Sequence, residues 1–177
     1  MLAGNAAGMA SVAFLNPNSA GQDVSMATTS VRDFAEFTPE KAKEAWEMFL
    51  VKMAAKAREA ARVPQSGFRV GAALAAEDGR IFTGCNVELK QMLTSICAER
   101  CALVKGVSEG CCAFEAIAIA SDLAEPISPC GTCRQYLVDF GEDMIVLLGN
   151  RDGSQIIRTT AGELLPLAFS GTQKGIE

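Results

Sequence analysis

Residues 114–148 read FEAIAIASDLAEPISPCGTCRQYLVDFGEDMIVLL. Phe114 to Ala120 is an apolar run rich in Ile and Ala, short enough for a strand. Met144 to Leu148 is a continuous apolar run, the pattern of a strand buried on both faces. Between them Ser128-Pro129 reads as a helix cap followed by Pro at the first helical position, and Gly141 as the stop. Cys133, Tyr136, Leu137 and Phe140 fall on one face of that helix. Strand, helix and strand in this order predict an α/β layer architecture.

Working outward, Phe68, Val70, Ala72 and Leu74 alternate with Arg69, Gly71, Ala73 and Ala75, the period of a strand. Asp78-Gly79 is a tight-turn pair, and Arg80 to Val87 reads as the returning strand. A buried helix is expected from about Cys97 to Ser108. An earlier helix starts at Thr38-Pro39-Glu40 and places Trp46, Phe49, Leu50, Met53 and Ala57 on an apolar face, with Pro64 marking the end of that region. After a turn at Asp152-Gly153 come a short strand near Gln155 to Arg158 and a short helix at Glu163 to Leu165. Residues 1–36, rich in small residues and poor in charge, read as a flexible extension. Residues 37–171 read as one domain and 172–177 as a tail.

Composition removes many functions. The 177 residues are 49% hydrophobic and 21% charged, with a net charge of −5, which argues against a protein that grips nucleic acid through phosphates. No stretch is apolar enough to span a membrane, and the first basic residue, Arg32, comes too late for a secretory leader. There is no histidine, so no imidazole serves as a base or metal ligand. The seven cysteines, an odd number in a chain of this length, read as free or metal-bound thiols in a reducing, cytoplasmic setting.

Cys97-Ala98-Glu99 and Pro129-Cys130-Gly131-Thr132-Cys133 carry the chemistry. A lone Cys-x-x-Cys fits a redox site or structural zinc, but structural zinc takes four protein ligands. Here Cys97 is the third and no fourth is matched. Three ligands leave one position open, the arrangement of catalytic Zn2+. Cys97 and Cys130 both fall at expected helix starts, where free amides and the helix dipole stabilise thiolates. Glu99 then reaches the site without binding the metal. Three thiolates leave one negative charge in excess on the ion, and Arg100 and Arg134, beside the ligands, can donate to sulfur and draw it off. The plain alternatives are buried thiols beside a redox pair and two solvated arginines. Cys101, one turn after Cys97, reads as core.

At these residues the chain resembles the cytidine deaminase family, in its small form with three cysteine ligands. The resemblance runs over roughly residues 62 to 170, through Phe68-Arg69-Val70-Gly71-Ala72-Ala73-Leu74, Gly84-Cys85-Asn86-Val87-Glu88, Ile96-Cys97-Ala98-Glu99-Arg100, Ser128-Pro129-Cys130-Gly131-Thr132-Cys133-Arg134-Gln135, and Glu163-Leu164-Leu165-Pro166 with Phe169. It implies a three-layer α/β/α domain around a mixed five-stranded sheet. It also implies zinc-dependent deamination of cytidine or deoxycytidine, as in pyrimidine salvage, with Zn2+ on Cys97, Cys130 and Cys133 and Glu99 moving protons. By the same resemblance Asn86 and Glu88 bind the ribose, Phe68 packs near the base, and Ala98 lines the substrate site. Phe169 approaches a neighbouring subunit's site in a homotetramer. Where the family commonly reads Asn-Ala-Ser-Tyr-Gly after the Glu, this chain has Leu89-Lys90-Gln91-Met92-Leu93. Gln65 and Arg69 stand for a common Tyr and Pro. Three alternatives compete: a deaminase of another aminated pyrimidine nucleoside such as a blasticidin-type antibiotic, a catalytically silent zinc protein, and a thiol redox protein. The acidic charge and the single Trp and Tyr make a polynucleotide editor the weaker reading.

Overall fold

The computed structural model describes residues 12–14, 27, 29–31 and 38–169. Most of the expected extension, 1–36, and all of the expected tail, 172–177, lie outside the described residues. The chain divides into two compact units, 1–49 and 50–177. In the first, β1 (Val12–Phe14) pairs in parallel with β2 (Thr29–Val31). Helix α1 (Pro39–Ala57) begins as its sequence signals, with Thr38 Oγ1 accepting from the Lys41 amide at 3.3 Å.

The second unit is built on a five-stranded sheet in the order β4-β3-β5-β6-β7, formed by β3 (Val70–Ala76), β4 (Ile81–Cys85), β5 (Phe114–Ser121), β6 (Ile145–Gly149) and β7 (Ile156–Thr160). β3 runs antiparallel to β4 and β5, β5 is parallel to β6, and β7 is antiparallel to β6. The sheet is mixed, as expected. The parallel pair comes from the strand–helix–strand stretch, whose crossover is α3 (Gly131–Phe140). Helix α2 (Ala98–Ser108) joins β4 to β5, and α4 (Ala161–Leu164) follows β7. Thr160 and Glu163 close a reciprocal cap on α4, a Thr-x-x-Glu signal already present in the sequence.

The two faces of the sheet are packed differently, and this sets where the helices lie. Val70, Ala72, Leu74, Phe82, Ile117, Ile119, Val146 and Leu148 make a thick apolar core with Ala98, Ala102 and Leu103 of α2 and Leu137 of α3. The opposite face carries Gly71, Ala73, Ala75, Ala116, Ala118, Ala120 and Gly149, so a helix can approach closely. A Cβ on Gly71 would lie 2.1 Å from the Ala54 carbonyl oxygen, and one on Gly149 would lie 2.4 Å from Val51. This thin face corrects the expected stripe on α1. In its second half the buried residues are Leu50, Val51 and Ala54, while Met53 and Ala57 are half-buried, because Val51 and Ala54 are the residues set against Gly149 and Gly71 of the sheet.

Two further expectations shift. The returning strand ends at Cys85 rather than Val87. Val87 instead makes isolated bridges to Arg62 and Ile96, so Asn86 and Glu88 sit just past the strand. Ser128 is not the cap of α3; Cys130 is, and the Ser128 hydroxyl accepts from Arg134 instead. Tyr136 is 40% exposed and lies off the buried face that Cys133 and Leu137 share.

Candidate active site

Cys97 is the N-cap of α2 and Cys130 the N-cap of α3, and neither makes a side-chain capping bond. Cys133 lies in the first turn of α3. What brings the two helix starts together is close packing behind them. A Cβ on Gly84 of β4 would lie 2.5 Å from both the Ala98 carbonyl oxygen and the Ala102 amide nitrogen, so only glycine lets α2 sit this near the sheet. On the other helix, Arg134 ties the approach segment down. Its Nε donates to the Pro129 carbonyl at 2.9 Å, Nη2 to Ser128 Oγ at 2.9 Å and Nη1 to the Leu164 carbonyl at 3.1 Å.

The sulfurs of Cys97, Cys130 and Cys133 all lie within 4.8 Å of one another, with Cys97 and Cys130 3.8 Å apart. A tetrahedral zinc with Zn–S near 2.3 Å places its sulfurs about 3.8 Å apart. The Cys97–Cys130 separation matches that spacing, the three sulfurs are close enough together to share one ion, and three soft thiolates suit Zn2+. Cys133 is buried, while Cys97 and Cys130 face a cavity of about 200 Å3.

Glu99, the second residue of α2, also lines that cavity and is 4% exposed. Burial pushes its carboxyl above the ordinary range, and the charge on Cys97 adds to this, while its backbone hydrogen bond and contacts with Cys133 and Arg100 pull the other way. Without metal the thiols share protons. Cys97 is lowered to about 5, first by its hydrogen bond with Cys133 and then by Arg100 and Cys130, against the cost of burial. Cys133 moves up, because it hydrogen-bonds the Cys97 thiolate and is itself buried. Cys97 is the thiolate of the pair, since it has a guanidinium beside it: Arg100 Nη2 lies 3.7 Å from its sulfur.

Arg100 thus touches sulfur as expected. It also donates to the Ser95 carbonyl at 3.2 Å and lies over the Tyr136 ring. Arg134 does not: its donors go to Pro129, Ser128 and Leu164, so it fixes the segment carrying Cys130 rather than drawing charge from sulfur.

Of the residues expected at the substrate, Phe68, Asn86 and Ala98 line the cavity, and Val70, Ile127 and Ser128 join them. Val70 and Ile127 carry no signal in the sequence, since an apolar pocket wall looks like core. Asn86 is engaged on both sides: Oδ1 accepts from the Val70 amide at 2.8 Å and Nδ2 donates to the Phe68 carbonyl at 2.9 Å. Glu88 is not among the lining residues. It is 5% exposed and accepts from the Gln65 and Ser66 amides at 3.0 and 3.1 Å and from the Ser66 hydroxyl. Phe169 is 78% exposed, and its carbonyl accepts from Gln135 at 2.8 Å.

Two helix starts that gather three thiols and set two of them with a buried carboxylate on one cavity have the arrangement of a catalytic zinc enzyme. The chain belongs to the cytidine and deoxycytidylate deaminase family: residues 44–148 match the model of its zinc-binding region. It is 49% identical over 122 residues to a cytidine deaminase of Sporosarcina psychrophila, across 68% of this chain and 89% of that one. A blasticidin-S deaminase of Bacillus cereus is 31% identical over 109 residues, across 57% and 76%. Among solved structures, cytidine deaminase from Burkholderia pseudomallei superposes with a TM-score of 0.65 at 40% identity, covering 75% of this chain and 100% of that one.

Proposed function

We propose that the chain hydrolytically deaminates cytidine or deoxycytidine, releasing ammonia and uridine or deoxyuridine. The observation that carries this is the meeting of the Cys97, Cys130 and Cys133 sulfurs with the buried Glu99 carboxylate at one cavity. Cys97, Cys130 and Cys133 would hold Zn2+, which would supply the Lewis acidity that makes water nucleophilic at neutral pH. Glu99 takes the proton that water gives up, passes it to the ring nitrogen, and assists the departing amine. A carboxyl pushed up by burial suits both halves of that shuttle, because it can accept and then donate near neutrality. Arg100 offsets the excess charge of three thiolates at Cys97. Phe68 and Ala98 enclose the base, and Asn86 and Glu88 receive the sugar.

The exposed Phe169 and the apolar groove of Leu103, Val104, Val107, Tyr136 and Phe140 support assembly with further copies of the chain, a homotetramer by family resemblance. A cytoplasmic setting is supported by seven free thiols, and among the described residues no helix is long and apolar enough to cross a membrane.

The test is zinc content measured alongside the fall in absorbance as cytidine becomes uridine. The expected result is close to one Zn2+ per chain, the capacity of one three-thiolate site, with turnover that a chelator abolishes. Zinc-loaded protein that leaves cytidine intact overturns the reading. The likeness to a blasticidin-S deaminase, at 31% identity over 109 residues, supports a second substrate, an aminated pyrimidine antibiotic of that type, and ammonia release across a nucleoside panel separates the two.

A further inference from the structure

Gln65, Ser66 and Gly67 form a turn that closes around one buried carboxylate. Gly67 has φ of +67°, and this left-handed residue follows two whose amides both point at Glu88 Oε2. That oxygen is saturated by backbone. The other, Oε1, has one donor among the described residues, the Ser66 hydroxyl. The same hydroxyl accepts from the Phe68 amide at 3.0 Å. On its far side the Phe68 carbonyl is held by Asn86, so the peptide carrying the cavity's aromatic wall is gripped at both ends, once by Asn86 and once by Ser66.

We propose that Ser66 is a positioning residue for nucleoside binding, its hydroxyl joining the Glu88 carboxylate to Phe68 so that both stand ready for the substrate. This rests on the reading that Glu88 receives the sugar. Oε2 already accepts two amides and Oε1 one hydroxyl, so Oε1 is the oxygen with acceptor capacity left for a sugar hydroxyl. Ser66 holds it in place beforehand and keeps the side chain in one rotamer. Removing the hydroxyl leaves Oε1 without a partner and frees the Phe68 amide. The effect therefore falls on binding and not on the proton shuttle at Glu99. It also falls on titration. Hydrogen bonding by Ser66 is the largest cause holding Glu88 below the usual carboxylate range, followed by burial acting against it and by the Gln65 and Ser66 amides and Arg62 acting with it. Arg62, which donates to the Glu88 carbonyl, is the charged group acting on that carboxylate. With Ser66 removed the carboxylate takes up its proton at a higher pH, so binding fails sooner on acidification.

The experiment compares zinc-loaded wild type, Ser66→Ala, Ser66→Thr, Glu88→Gln and the Ser66→Ala/Glu88→Gln pair, with KM and kcat for cytidine followed across acid to neutral pH. Ser66→Ala is expected to raise KM about tenfold, the size of one hydrogen bond to a charged group, and to leave kcat nearly unmoved. The acid limb of kcat/KM moves up in pH. Ser66→Thr, which keeps the hydroxyl, restores both, and Ser66→Ala adds nothing further once Glu88 is Gln. An unchanged KM in Ser66→Ala, or the same loss in the Glu88→Gln background, overturns the proposal. The two readings fail separately. A wild type that deaminates cytidine with no KM change in Ser66→Ala sinks this inference alone. A wild type that binds cytidine more tightly than Ser66→Ala yet never turns it over sinks the deaminase and leaves Ser66 in its role.

Discussion

The two ends of the cavity differ in how their polar groups are satisfied. At the sulfur end, Cys97, Cys130 and Cys133 are partnered chiefly with one another and with Arg100, and Glu99 is buried among them. Away from the sulfurs, the Asn86 amide on the cavity wall is engaged by backbone, and the Glu88 carboxylate, outside the lining, by backbone and by Ser66. Side chains that the protein leaves under-satisfied are poised for an ion and a reaction. Those already engaged by the fold are held in place before a ligand arrives. The contrast predicts that changes at the sulfur end act on metal and turnover, and changes at the other end act on binding.

The sharpest break would come at Glu99. Glu99→Gln keeps every sulfur in place, so zinc content should equal that of wild type, while kcat falls roughly 10²- to 10⁴-fold, the usual worth of a positioned acid–base group. Turnover at the wild-type rate in that variant would remove the proton shuttle.

Next in size is Arg100→Gln. Loss of the guanidinium should weaken zinc binding about 10- to 100-fold, as for other groups that hydrogen-bond a metal ligand, read by competition with a chromogenic chelator. The metal-free chain gives the sign independently. Cys97 is lowered to about 5, so its sulfur is thiolate at neutral pH and gains a proton as pH falls through that value. In Arg100→Gln the midpoint of thiolate absorbance moves up, though the hydrogen bond with Cys133 keeps it below that of a free cysteine. An unmoved midpoint would mean that Arg100 does not act on that sulfur.

The smallest effect is mechanical. Gly84→Ala drives a methyl into the backbone of α2 at Ala98 and Ala102. Overpacking of this kind costs about 1–3 kcal/mol, or roughly 2–4 °C of Tm per kcal/mol in a domain this size. A variant that melts like wild type would show that the helix start tolerates displacement from the sheet.

The sulfur cluster was legible in the sequence and the surroundings of Asn86 and Glu88 only in part, for a physical reason. Metal ligands are few in type and fixed in spacing, so Cys97 with the Cys130 and Cys133 pair narrows the chemistry before any fold is known. The alternation of Val70 to Leu74 and the apolar run at Met144 to Leu148 likewise revealed the strands. Hydrogen-bond partners have no such spacing. Nothing in the order of residues says that Glu88 spends its carboxylate on Gln65 and Ser66, or that Arg134 reaches Leu164 rather than sulfur. Ser128 beside Pro129 has the composition of a cap, yet the cap falls two residues later, because tertiary bonds to Arg134 hold Ser128 outside the helix.

The helix starts at Cys97 and Cys130 have one more consequence. Most helices of this kind begin on a Ser, Thr, Asp or Asn that covers the first exposed amides, and here that position is given to a thiol which makes no such bond. The site and the scaffold are therefore not separable parts. Whatever binds the sulfurs is anchored at the N-caps of two helices at once, so it ties those two helix starts to each other.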